Sequence, residues 1–91
     1  GMVLITDNST LLGIFTDGDL RRVLEDHTDI QSLNIGEVMT PNCKSILADK
    51  PAMAAVAMMD EFNLNSLPVV DENNQVVGAI NTHTLMQAKI I

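Results

Sequence analysis

The residues best placed to do chemistry in this chain are Thr16-Asp17-Gly18-Asp19-Leu20-Arg21-Arg22. A β-branched and apolar run leads into Thr16 and a helical pattern leaves it, so the segment lies where a strand hands over to a helix. The first amides of a helix have no partner within it, and two chemistries compete for them. In the first, the Thr16 hydroxyl accepts from the Asp19 amide while the Asp19 carboxylate reaches back to the Thr16 amide, an acidic form of the capping box. In the second, the open end of the strand and the free amides form an anion and ribose site, with a carboxylate accepting two hydrogen bonds from a vicinal diol. Gly18 keeps the helix start free of a side chain, and Asp17 stands beside it. Arg21 and Arg22 are two of only five basic residues. Adjacent in an acidic protein, they are the candidates for a phosphate or a sugar carboxylate; their plainer reading is a solvated face that offsets Glu25 and Asp26.

A second, weaker set lies near the end of the chain. Asn81 or Thr82 can cap the last helix, and His83 falls in its first turn, where a positive imidazolium would oppose the helix dipole. His83 therefore reads as a neutral surface or interface residue, with a ligand contact beside Asn81 as the alternative, and His27, in a polar loop, as surface. Neither has a second His or a carboxylate at metal-ligand spacing apart from chance neighbours such as Asp29, so no metal and no cofactor is expected. The chain has no P-loop, no Ser or Cys with a plausible His partner and no zinc-type His cluster, and no catalytic residue is assigned. The pairs Asp60-Glu61 and Glu25-Asp26 are adjacent on helices and point to different faces. One cysteine, Cys43, excludes an internal disulfide and fits a reducing compartment.

The elements that must position these residues follow from composition and pattern. Ninety-one residues make one compact unit at most, and an apolar share of 46% with aromatics at 2% requires a core of Val, Ile, Leu, Met and Ala. No apolar run approaches the roughly 20 residues that cross a bilayer, so a soluble protein is expected. The net charge of −7 repels nucleic acid and anionic membranes, and neither is expected as a partner. Val3 to Thr6 and Leu11 to Thr16 read as a hairpin; Asp17 to Asp26 reads as a helix with Leu20, Val23 and Leu24 on one apolar face. A polar stretch from His27 to Asn34 follows. Ile35 to Met39 reads as a helical turn, Thr40-Pro41-Asn42 as a break and Lys44 to Leu47 as a short strand. Asp49 can cap a helix with Pro51 in its first turn and Ala52, Ala55, Val56, Met59 and Phe62 recurring along it. Leu67 to Val70 and Gln75 to Ile80 form a second hairpin, and Thr82 to Lys89 the last helix.

The two hairpins are copies. Gly13 matches Gly78 and Leu20 matches Leu85 at an offset of 65, whereas Asp7 matches Asp71 at 64, which places a one-residue insertion in the Glu72-Asn73-Asn74 turn. Roughly Ile35 to Asn65 has no counterpart before Met2. The chain thus reads as α/β of the α+β kind: a complete βαββα repeat over 35–91 and the C-terminal half of another over 1–34, its N-terminal part cut away. In the second copy Asn81 and Thr84 stand where the first has Thr16 and Asp19, so any nucleotide site is asymmetric.

Val38-Met39-Thr40-Pro41, then a helix, then Ser66-Leu67-Pro68-Val69-Val70-Asp71 and Val76-Val77-Gly78-Ala79-Ile80 resembles a CBS (cystathionine beta-synthase type) motif. Gly13 to Arg22, Ile35 to Pro41 and the ending Leu85 to Ile91 together resemble the C-terminal CBS pair of the arabinose-5-phosphate isomerases, whose sugar isomerase domain lies N-terminal. That resemblance implies that Thr16 and Asp19 hold the ribose of a nucleotide. It also implies a parent enzyme that interconverts D-ribulose 5-phosphate and D-arabinose 5-phosphate for the Kdo of lipopolysaccharide, with CMP-Kdo as a sensible effector. The expected chain is then a non-catalytic regulatory module in the cytoplasm, partnered by a nucleotide or nucleotide-sugar and the isomerase domain. A homodimer is expected, in a parent that could be a tetramer. The alternatives are a purely structural oligomerisation module and an adenine-nucleotide-sensing pair of another protein.

Overall fold

The computed structural model describes residues 1–26 and 29–89; His27, read above as a surface residue, lies outside them. They form two compact units, Gly1–Cys43 and Lys44–Ile91, each built on its own sheet, where the chain's length implies one at most. The architecture is mixed α+β.

In the first unit β1 (Met2–Asp7) and β2 (Thr10–Thr16) pair antiparallel. Asn8 and Ser9 between them both take positive φ, 49° and 70°, the two-residue turn whose twist suits a hairpin. Helix α1 (Asp17–Asp26) starts directly from the end of β2. After a 3-10 turn at Ile30–Ser32, helix α2 (Ile35–Val38) begins where the Glu37 carboxylate accepts from the Asn34 amide at 3.1 Å. Thr40–Pro41, expected as a break, instead forms β3, which pairs with β2 at Ile14 and Gly13; the break falls one residue later, at Asn42 with φ 51°.

The second unit contains strand, helix, strand, strand, helix in the expected order. Strand β4 (Ile46–Leu47) runs parallel to β5 (Ser66–Val70), and helix α3 (Ala52–Glu61) makes the crossover. Pro51 stands at the α3 N-cap in extended conformation and Asp49 lies outside the helix, so Asp49 is not the cap. The helix closes with Asn63 at φ 54° and hydrogen bonds from Asn63 and Leu64 to the Asp60 and Met59 carbonyls, a Schellman ending. Pro68 is buried in the middle strand, tolerable because β4 spans only Val69 and Val70 and asks no donor of residue 68. Strand β6 (Val76–Asn81) returns antiparallel after a turn in which the Asp71 carboxylate accepts from the Asn73 and Gln75 amides, and helix α4 (Thr82–Gln87) follows. Ile46, Ala55, Met59, Leu67 and Leu85 form its core.

The repeat reaches down to the hydrogen-bond register. Each hairpin has one irregularity, between Ile5 and Thr6 in the first and between Val69 and Val70 in the second, the same place at an offset of 64. Helix burial differs between copies. Leu85 is 4% exposed under α3, whereas its counterpart Leu20 is 44% exposed. Of the apolar face expected on α1 only Val23 is buried, because among the described residues the first unit has no equivalent of α3.

Candidate ligand site at the strand-to-helix junction

Among the described residues Asp19 is the buried charged side chain, at 4% exposure, and four donors converge on it. Its Oδ2 accepts from the Thr16 amide at 2.8 Å and the Thr16 hydroxyl at 3.0 Å; Oδ1 accepts from the Thr40 hydroxyl at 3.0 Å and pairs with the Arg22 guanidinium. The Asp19 amide donates to Thr16 Oγ1 at 3.2 Å, so the reciprocal cap is formed in full. A carboxylate offers about four lone-pair directions, and all are taken. Burial pushes the Asp19 carboxyl up, but the Thr16 amide, the Thr40 and Thr16 hydroxyls and Arg22 together outweigh it and hold it below its ordinary value.

The structure therefore brings together Thr16, Asp19 and Arg22. Asp17 is exposed and does not join the cluster. Arg21 is exposed and does not join the cluster. An ideal Cβ at Gly18 would meet Arg22 Nη1 and Thr16 Oγ1 at 3.7 Å, ordinary van der Waals distance, so the fold itself does not require glycine there. Thr40 was missed in the sequence; it stands 21 residues from Asp19 and arrives only because β3 pairs with β2.

In the second unit the same junction is built with donor and acceptor exchanged. Asn81 Oδ1 accepts from the Thr84 amide at 2.8 Å and from the Thr84 hydroxyl at 3.0 Å, so the acceptor sits at the cap and the hydroxyl three residues on. His83 is exposed on the first turn of α4. Nearby, Thr84 helps to line an apolar cleft of about 310 Å³ with Ile46, Leu47, Lys50, Ala55 and Ile80. No group of three or more His, Cys, Asp or Glu among the described residues is arranged for a metal ion. Burial pushes the Cys43 thiol up, away from nucleophilic use. No helix among the described residues is long and apolar enough to cross a membrane.

A repeated sheet-and-helix unit with a carboxylate and hydroxyls gathered at the strand-to-helix junction defines a class, and the CBS domain family matches residues 35–90: the chain belongs to that family. Its relatives are particular. It is 41% identical to the arabinose 5-phosphate isomerase KdsD of Francisella tularensis subsp. tularensis over 90 residues, 99% of this chain and 28% of that protein. With the arabinose 5-phosphate isomerase KdsD of Pseudomonas aeruginosa it shares 39% over 92 residues, again 28% of that protein. The chain thus spans about 28% of the length of the curated relatives it matches. Among solved structures it superimposes on the CBS domain pair of protein MJ0100, crystallised with 5′-methylthioadenosine and S-adenosyl-L-methionine. That match has a TM-score of 0.81 at 27% identity and covers 97% of this chain and 68% of the other.

Proposed function

We propose that this chain is the regulatory CBS module at the C-terminal end of a cytoplasmic D-arabinose 5-phosphate isomerase, and that it binds a nucleotide or nucleotide-sugar such as CMP-Kdo at the Thr16–Asp19 junction. The observation that carries the binding reading is the cluster on Asp19. Two hydroxyls, one amide and one guanidinium already satisfy its carboxylate, and a ribose diol can take the places of the Thr40 hydroxyl and Arg22 donors one for one. Arg22, whose side chain is 64% exposed, is then free to turn to a phosphate. Gly18 leaves the helix amides uncovered beside it. Binding of adenosine compounds by the related domain pair supports a nucleoside ligand, and the similarity over the whole chain to isomerases supports the parent enzyme. The module would bias the isomerase by linked binding, as any ligand does that prefers one of two states.

The saturation of Asp19 favours one other reading, in which the junction is only a structural clasp and the module holds subunits together. Calorimetric titration of CMP-Kdo, CMP and AMP into wild type and Asp19→Ala separates the two. Under the binding reading, loss of a charge-assisted acceptor weakens nucleotide affinity by about 1.5–3 kcal/mol. Under the clasp reading the variant loses thermal stability equally with and without nucleotide, and affinity hardly moves. Thr84→Ala, in the copy without an acid, should do much less to affinity.

A further inference from the structure

Glycine recurs at the same place in both hairpins, in opposite surroundings. Gly13 is buried beneath β3: an ideal Cβ there would lie 2.5 Å from the Thr40 carbonyl oxygen and 2.9 Å from Met39 Sδ. Only glycine lets β3 cross at that distance. Gly78 occupies the same register on its inner side, paired with Val69 as Gly13 is with Ile5. On its outer side a Cβ would meet nothing within 4 Å, Gly78 is exposed, and β6 is the edge strand of its sheet. A glycine inside an exposed strand weakens it and packs nothing. The local structure supplies no reason for Gly78.

The first hairpin supplies one. The family match begins at residue 35, yet β3, within that match, belongs by packing to the first unit, Gly1–Cys43. The lead-in of the second repeat therefore closes the sheet edge of the first. The reciprocal contact would have the lead-in of the first repeat close the edge of the second, at Gly78 and Ala79. At the repeat offset, the counterpart of Thr40-Pro41 falls about 25 residues before Gly1. Most of the length of the related proteins lies outside the region matched by this chain. We propose that the outer edge of β6 at Gly78 and Ala79 is the docking site of a short extended segment from the polypeptide preceding Gly1, pairing antiparallel as β3 pairs with β2. The chemistry of the occupant is that of β3: a carbonyl pressed onto the glycine, a bulky apolar side chain before it and a proline that ends the ladder, a brief form of strand addition. The occupant rests on the reading that the chain is part of a longer isomerase.

The test uses the longer protein, in hydrogen exchange read at those amides of residues 76–81 that point away from β5. In wild type these amides should exchange at least tenfold more slowly than those of an unpaired edge strand, and Gly78→Val should remove that protection. Deleting the ten or so residues centred about 25 before Gly1 should have the same effect, and serves where Gly78→Val does not fold. Unprotected wild-type amides, or protection that survives both changes, overturns the proposal. Protection that disappears on dilution to a monomer assigns the edge to a second copy and also overturns it. Isomerisation of arabinose 5-phosphate is assayed on the same preparation: its absence removes the proposed parent activity while leaving the protected edge standing.

Discussion

A carboxylate at 4% exposure is sustained only where its charge is answered, and for Asp19 every answering group lies on a different piece of the first unit: Thr16 at the end of β2, Arg22 on α1, Thr40 on β3. Removing the side chain leaves these donors without their acceptor, so Asp19→Ala should cost about 1–3 kcal/mol of stability in chemical denaturation. The pH dependence has a definite sign. The folded carboxyl titrates below the unfolded one, so its contribution is complete above the unfolded value near 4 and is lost as pH falls through the lower folded value. Asp19→Asn should flatten that acid limb and leave neutral-pH curvature alone; an unchanged limb would show that Asp19 is not the group responsible. Gly18 gives the complementary case. With ordinary space around its Cβ and no positive φ, Gly18→Ala should stabilise the helix start by about 0.5–1 kcal/mol. If the bare amides serve a ligand, the same change should weaken nucleotide binding, a separation of stability from affinity that titration and melting curves read directly. The Thr16 and Asp19 cap was legible in the sequence because it closes over three residues. Thr40 was not, because its approach depends on a strand pairing that nothing local in Met39-Thr40-Pro41 announces.

At the scale of elements, hairpins and helices were legible and their coverage was not. Period-two runs bounded by Asp-Asn-Ser and Glu-Asn-Asn define both hairpins, and the bulge recurring 64 residues on shows that the copies share register as well as pattern. The face expected on α1 failed at Leu20 and Leu24, both exposed, because periodicity says which side of a helix is apolar and not whether anything lies against it. Asp49 failed as a cap because Pro51 is already extended at the cap position, with the helix beginning one residue later. The break expected at Thr40-Pro41 failed because two residues ending in proline carry too little pattern to announce the strand they form. Its importance is testable at Gly13. A methyl group placed 2.5 Å from a backbone oxygen cannot be absorbed by a side-chain shift, so Gly13→Ala should either displace β3 or cost about 1–3 kcal/mol. Loss of the Thr40 hydrogen bond to Asp19 should follow, visible as a partial loss of the acid limb described above.

For the molecule as a whole, the first unit has Leu11 and Val23 as its buried apolar side chains among the described residues, while Val3, Leu20 and Leu24 are exposed. Units of about 40 residues seldom sustain a fold on so little, and they gain stability by association or by further chain. We therefore expect the 91-residue chain to self-associate. Each copy carries a net charge of −7, so two copies meet against their own repulsion. Salt within the physiological range shortens the reach of that repulsion while leaving apolar burial nearly untouched. Sedimentation equilibrium at micromolar concentration should accordingly show a dimer that tightens as sodium chloride is raised. A contact built on ion pairs would loosen instead, and a species that stays monomeric at every salt concentration would remove the expectation. Leu24→Glu places a further negative charge on the exposed side of α1 without touching the buried Val23. It should shift the equilibrium toward monomer with little change in the hydrogen-bonded amides of β1 and β2, which nitrogen–proton correlation spectra of the same samples would report.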